Sequence, residues 1–307
     1  MREYVDLGHM HLAPHPTPEA ETYYIPHHPV FKKDSTTSKL RVAFDASAKS
    51  TTRVSLNDTL CVGPTVQPDL FSTVLRFRTW PIAFAADVSK MYRQILLNPA
   101  ERDLQRILWR DKPTDAVQEY VLNTVTYGTA SAAFLATRTL NQVATDECLP
   151  HSTLHRVITN DFYIDDLLSG AHSPQEAIEL AKQLSATLQR GGFELRKWTS
   201  NSVEVIKATP PHLRETKTSK PLSDTQDSIS KTLGLIWNAS RDELRISCNL
   251  DSFIQKTSFT KRQFLSCVAS IFDPLGLIAP VTTSAKILFQ RLWLEKLDWD
   301  DTLPPPS

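Results

Sequence analysis

The chain has 307 residues, 41% hydrophobic and 22% charged, with a formal net charge of zero. That is a globular profile, long enough for two or three compact lobes. No run approaches the roughly 18 apolar residues of a membrane span, and "MREYVDLGHM" has no signal-peptide core, so the chain reads as soluble and intracellular.

Twenty prolines against eight glycines suggest long connections rather than low complexity. Four scattered cysteines, Cys61, Cys148, Cys248 and Cys267, lack a CxxC spacing and are expected to be free thiols. His27-His28 is the obvious metal pair, but neighbours on an extended segment point apart, so a surface loop outweighs a zinc site. Zero net charge neither supports nor excludes nucleic acid. Local basic clusters do occur, at Lys32, Lys33, Lys39 and Arg41, at Arg190, Arg196 and Lys197, and at Lys256, Lys261 and Arg262.

In chain order, residues 1–38 read as an extended arm without helical periodicity. "KLRVAFDAS" (Lys39–Ser47) alternates with period two and predicts a strand. "PIAFAADV" (Pro81–Val88) is a short apolar run ending in Asp87, which suits a buried strand. At "NPAERDLQRILW" a capping Asn98, Pro99 and Glu101 predict a helix start. "QEYVLNTVTYG" (Gln118–Gly128) predicts a strand, followed by a helix over about Ala130 to Glu147. "RVITNDFYIDDLLSG" gives two β-prone halves, Val157–Ile164 and Leu167–Gly170, with Asp165-Asp166 at a hairpin tip. The cleanest helix follows, with Ser173 as N-cap, Glu176 reaching back and Gly191-Gly192 ending it. "GFELRKW", "KTLGLIWNAS" and "DELRISCNL" predict strands, the last two as a hairpin. From about Asp251 the pattern is helical with a proline interruption, and "LDWDDTLPPPS" ends as if cut from a longer chain.

The chemistry is concentrated in carboxylates. If the two strands are neighbours, Asp87 and Asp165 converge, and clustered carboxylates require a cation. Hard oxygen ligands point to Mg²⁺ or Mn²⁺, and two such ions about 4 Å apart serve in-line nucleotidyl transfer. An Asp-Asp pair alone is also a common surface turn. Here its flanks are apolar and its prefix is Tyr-Ile.

"YIDD" resembles the Tyr-X-Asp-Asp box of reverse transcriptases. "FKKDSTTSKLRVAFDAS" resembles their fingers segment, "AADVSKMY" their first catalytic aspartate box and "YGTASAAF" the turn and helix after it. "GFELRKWTSN", "LGLIW" and "TKRQFLSCVASIFDPLGLIAP" resemble the Pao/BEL group of LTR retrotransposon polyproteins, over roughly Tyr23 to Trp293. The resemblance implies an α+β right-hand polymerase of fingers, palm and thumb. Residues 1–38 would lead into the fingers, and residues 39–250 would form fingers and palm, with palm motifs around 81–95, 126–147, 157–170, 191–200 and 231–238. Residues 251–307 would be a truncated helical thumb-like segment.

The resemblance also implies roles. Asp87, Asp165 and Asp166 would be the catalytic triad and, with the Val88 carbonyl, would hold two Mg²⁺ or Mn²⁺ ions. Arg41 would contact the triphosphate of an incoming dNTP, assisted by Lys32 and Lys39. Tyr92 would be the gate against a 2′-hydroxyl, and Tyr127-Gly128 would support base and template. Lys197 would be the candidate general acid. Leu233, Gly234, Leu235 and Trp237 would form a primer grip. Tyr127 stands where retroviral enzymes have glutamine, and Thr126 and Ala132-Ala133 where relatives often have proline, which puts template positioning in question.

The expected function is RNA-directed DNA polymerase acting on an RNA/DNA template–primer with dNTPs. Nothing resembles protease, RNase H or integrase, so the rest of a gag-pol polyprotein is expected to be absent. A cytoplasmic virus-like particle is the expected location, with no membrane partner. The alternative is a catalytically inactive, nucleic-acid-binding remnant. A metal-dependent phosphohydrolase would need a water-activating base that the sequence does not offer.

Overall fold

The computed structural model describes residues 1–14, 21–31, 40–215, 229–232, 235–246 and 258–303. Contacts divide the chain into two units, Met1–Trp198 with Glu204–Arg214, and Thr199–Val203 with Glu215–Ser307. The boundary falls at Arg214/Glu215, whereas the composition changes only near Asp251.

In the first unit the N-terminal stretch is more ordered than its composition suggests. Helix α1 (Arg2–Asp6) leads into strand β1 (Met10–Leu12). Strands β2 (His27–Phe31) and β3 (Leu40–Phe44) form an antiparallel pair in which Val30 faces Arg41. His27 is therefore on a strand rather than a loop, with its ring near those of Phe44 and Trp109. Two short helices follow, α2 (Leu56–Thr59), closed by a Ser55/Asp58 capping box, and α3 (Leu70–Phe77), capped by Asp69.

Strand β4 (Ile82–Val88) runs into a 3₁₀ turn at Met91–Gln94. Asn98 does cap, accepting from Ala100 N–H, but Pro99–Gln105 winds as 3₁₀ helix instead of the expected α-helix. The segment is short and Arg106 is already in β5 (Arg106–Trp109), so no α-helical ladder develops. Strand β6 (Gln118–Leu122) stops well before Gly128 and lies between β1 and β5. Helix α4 (Ala132–Glu147) matches its prediction.

The next segment departs from expectation. Thr153–Asn160 is helix α5, nucleated by Ser152, whose hydroxyl accepts from His155 N–H. Only Phe162–Tyr163 (β7) is strand before the turn, and Asp166–Ala171 (β8) follows it. Helix α6 (Pro174–Arg190) is capped by Ser173 as predicted, while Glu176 accepts from His172 N–H, one residue before the cap. Strand β9 (Leu195–Ser200) and helix α7 (Val203–Ala208) complete this part.

Strand order in the principal sheet is β7-β8-β4-β9. Phe84, Ala86 and Val88 of β4 join Leu167 of β8 and buried residues of α4, α5 and α6, including Leu140, Ile158 and Leu184, in one apolar cluster. Strand alternation sends Asp87 to the other face. A smaller cluster gathers Tyr4, Met10, Ile25, Phe44, Leu56, Ile107 and Leu122.

The second unit contains an antiparallel sheet of β10 (Ile229–Thr232), β11 (Leu235–Asn238) and β12 (Glu243–Ile246), with the hairpin partner as predicted. Helices α8 (Lys261–Ala269) and α9 (Ala279–Leu294) lie on either side of the Asp273-Pro274 interruption. Cys61, Cys148 and Cys267 are free thiols, and Cys248 lies outside the described residues. No helix among the described residues is long and apolar enough to cross a membrane.

One buried charge ties three elements of the first unit together. Asp161, at the end of α5, accepts from Ser169 Oγ at 2.7 Å and from Arg76 Nε of α3 at 3.2 Å. Its carbonyl accepts from Leu168 N–H, and the Arg76 guanidinium also reaches the Asn160 carbonyl. Burial pushes the Asp161 carboxyl upward, while Ser169 and Arg76 oppose the shift. Arg76→Met leaves this carboxylate short of donors and is expected to destabilise the fold by about 2 kcal/mol at pH 7, a figure moderated by partial exposure of the guanidinium. A raised carboxyl holds its proton longer in the folded state, so the loss shrinks near pH 4. Urea midpoints at both pH values check this.

Candidate active site

The site is built on the pairing of β4 with β8. Their antiparallel register sets Asp87 opposite Asp166, Ala86 opposite Leu167 and Ala85 opposite Leu168. Tyr163 pairs with Asp166 across the β7–β8 hairpin, leaving a two-residue loop, Ile164-Asp165. The predicted tip is therefore present, with Asp165 in the loop and Asp166 as the first residue of β8. Val88 N–H donates to the Asp165 carbonyl at 2.7 Å, which fastens the tip to the end of β4.

The Asp165 carboxyl feels the charge of Asp87. Burial pushes the Asp165 carboxyl above its ordinary range, the Asp87 charge pushes it further, and Lys197 and Arg41 oppose both. Lys197 Nζ donates to Asp87 Oδ2 at 2.8 Å. It does so from a backbone with φ 55°, a left-handed kink inside β9. Burial, and then the Asp165 charge, raises the Tyr92 hydroxyl, which places Tyr92 in the same electrostatic neighbourhood. Five predicted residues are thus brought together: Asp87, Asp165, Lys197, Tyr92 and the exposed Arg41. Asp166 joins them through its register with Asp87, and Val88 through its bond to the tip.

A half-buried carboxylate with a like-charged neighbour fits a hard divalent cation such as Mg²⁺ or Mn²⁺. Among the described residues, no three His, Cys, Asp or Glu side chains are grouped to hold a metal. The fit therefore rests on the Asp87–Asp165 pair.

Other predicted residues lie elsewhere. Tyr127 meets Tyr4, hydroxyl to hydroxyl at 2.9 Å, and its ring packs on Phe44. Gly128 has φ 104°, and a Cβ there would lie 2.3 Å from the Phe44 carbonyl oxygen, so only glycine fits. Its own carbonyl accepts from Asn57 Nδ2. Leu235 and Trp237 are buried on β11 of the second unit, where Trp237 Nε1 donates to Asp242. Lys32, Lys39, Leu233 and Gly234 lie outside the described residues.

Sequence reasoning missed the N-terminal residues. Glu3 pairs with Lys90 and with Arg93, and the Arg93 guanidinium lies 3.9 Å over the Tyr4 ring. Arg93 Nε donates to His9 Nδ1 at 3.0 Å, and burial first, then Arg93, holds that imidazole below its usual range. These contacts brace the 3₁₀ turn that carries Tyr92. It also missed Gln67, whose Oε1 accepts from Ile164 N–H at 2.9 Å.

Residues 260–306 match the family model described as "Pao retrotransposon-like RNaseH-like domain". The expectation that nothing in the chain is akin to RNase H is corrected by that description, which falls on the residues read as thumb-like. No curated protein matches. Among solved structures, the foamy viral protease-reverse transcriptase in complex with an RNA/DNA hybrid is similar at 11% identity and TM-score 0.58, over 94% of this chain and 32% of that one. A dRH form of the same protein with double-stranded DNA is similar at 13% identity and TM-score 0.58, over 98% of this chain and 43% of that one. The chain thus spans less than half the length of either, and shares with them a mixed α/β fold.

The raised Asp165 carboxyl gives a testable linkage. The folded state keeps this proton to higher pH than the unfolded chain, so stability falls as pH rises through the carboxylate range. Asp165→Asn removes the penalty. In chelator at pH 7 the variant is expected to melt about 2 °C or more above wild type, with the gap closing near pH 4; calorimetry at the two pH values checks it.

Proposed function

We propose that the chain is an RNA-directed DNA polymerase of a Pao/BEL-type retrotransposon, with fingers, palm and thumb in the right-hand arrangement. The observation that carries this reading is the meeting of Asp87 and Asp165 at the β4/β8 tip, beside Tyr92, Arg41 and Lys197. Shared fold with a foamy viral protease-reverse transcriptase solved on an RNA/DNA hybrid supports it. The Pao retrotransposon-like match at residues 260–306 supports the retrotransposon assignment.

On this reading, Asp87 and Asp165, with Asp166 and the Val88 carbonyl, hold two Mg²⁺ or Mn²⁺ ions. Such ions, when bound, stabilise charge on the attacking and leaving oxygens of an in-line displacement. The chain's own groups do the rest. Arg41 offers a planar guanidinium fork to the triphosphate of the dNTP. The half-buried Tyr92 ring fills the space that a 2′-hydroxyl would need. The Lys197 ammonium, held on Asp87, is the proton source for the leaving pyrophosphate. Lys32 and Lys39 add positive charge along the phosphates, the Tyr127-Gly128 turn supports the template base, and Leu233–Trp237 grips the primer. Template and primer are held through backbone phosphates without sequence readout.

A nuclease role for residues 260–306 draws less support, because Asp273, Asp300 and Asp301 among their carboxylates serve local structure. Asp273 accepts from Leu277 N–H and Ile278 N–H, and Asp300 pairs with Arg262.

Primer extension on poly(rA)/oligo(dT) with Mg²⁺ or Mn²⁺ tests the proposal. Wild type is expected to extend, and Asp165→Asn to lose at least about 100-fold in rate. No extension by wild type in either metal would favour an inactive nucleic-acid-binding remnant. Equal extension by both proteins would remove the assigned site. Separately, Tyr92→Ala is expected to raise rNTP incorporation relative to dNTP by about 10- to 100-fold, read from kcat/KM ratios.

A further inference from the structure

We infer that Gln67 is a positioning residue, which locks the strained hairpin tip so that Asp165 faces Asp87. The inference rests on the polymerase reading for its consequence, but its physical basis is independent of it.

Ile164 has φ 55°, in the left-handed region. For a β-branched residue this is a true outlier, and such conformations cost about 1–3 kcal/mol unless the surroundings over-determine them. Two-residue hairpin loops normally meet the demand with glycine, asparagine or aspartate at that position. Here the restraint is supplied from outside. The Gln67 side-chain carbonyl accepts the Ile164 N–H, across 97 positions of sequence. On the other side Val88 N–H holds the Asp165 carbonyl. The Ile164 side chain is itself packed against the main apolar cluster. Among the described residues, Gln67 is the side chain that acts on the amide of the strained residue.

Gln67 is anchored well enough to do this. The preceding carbonyl, of Val66, accepts from Asn141 Nδ2 of α4. Two residues later Asp69 caps α3 by accepting from Ser72 N–H. The segment is thus pinned on both sides of the glutamine. Without its acceptor, Ile164 can relax toward a right-handed or extended conformation. The peptide that follows then rotates, and the Asp165 carboxylate leaves the neighbourhood of Asp87 and Tyr92.

The test is a double-mutant cycle between Gln67→Ala and Ile164→Gly, because glycine adopts positive φ without strain and makes the lock dispensable. Three quantities are read: hydrogen exchange of the residue-164 amide, Mn²⁺ affinity by electron paramagnetic resonance, and kcat and KM for dNTP in primer extension. With isoleucine at 164, Gln67→Ala is expected to speed amide exchange at least tenfold, weaken Mn²⁺ about tenfold and lower kcat about tenfold, with KM for dNTP changed less than twofold. With glycine at 164, the same substitution is expected to cost less than threefold in Mn²⁺ affinity and in kcat. Equal losses in both backgrounds, or unchanged exchange at residue 164, would overturn the inference. If wild type fails to extend primers, the polymerase reading falls, and amide exchange with Mn²⁺ binding still decides the role of Gln67.

Discussion

The antiparallel pairing of β4 with β8 governs where charge sits in this chain, because strand side chains alternate with a period of two. In the observed register Phe84, Ala86 and Val88 enter the apolar cluster and Asp87 faces away from it, opposite Asp166. A slip of one residue would drive Asp87 into that cluster and expose the apolar set, an outcome that burial strongly opposes. The core thus selects the register, and the register brings the carboxylates together. The helices covering the cluster, α4, α5 and α6, secure the site from the apolar side, where Tyr92 and Ile164 also pack.

The charges at the tip are arranged to be incomplete by themselves. Asp165 is half-buried and feels the charge of Asp87, while the Lys197 ammonium is committed to Asp87 at 2.8 Å. Arg41 contributes only from an exposed position on β3. A local excess of negative charge in a partly desolvated place favours a cation far more than bulk water would. An arriving triphosphate would meet the opposite pull from Arg41. The same neighbourhood is thus suited to a cation on the carboxylate side and an anion on the guanidinium side, which is what the proposed two-metal reading would need.

What the sequence made legible was local. Ser173 with Pro174 announced α6, the run ending in Asp87 announced β4, and the apolar flanks of Asp165-Asp166 announced a hairpin. Val157–Asn160 misled because β-branched residues at Val157 and Ile158 suit either structure, and the deciding feature was a helix cap at Ser152. Asn98 and Pro99 gave a valid start signal, but the chain entered β5 before a helix could lengthen. The N-terminal arm was opaque for another reason. Tyr4, Glu3 and His9 act through Tyr127, Lys90 and Arg93, partners 84 to 123 positions away that no local pattern encodes. Gln67 was hidden in the same manner.

The choice of isoleucine at 164 shows how strain and order trade off at the tip. Glycine would satisfy the positive φ with no steric cost, yet it would leave the peptide before Asp165 free to sample both halves of the φ range. Isoleucine restricts the backbone and sinks its side chain against the apolar cluster, so the loop is held in one orientation once its amide is bonded. The energetic cost falls on a single residue, and the gain is a carboxylate whose direction is fixed before any ligand arrives. On the polymerase reading, pre-oriented charge is what would lower the reorganisation cost of stabilising phosphate oxygens. The strained residue and the half-buried carboxylate are therefore one device, and neither is intelligible without the other.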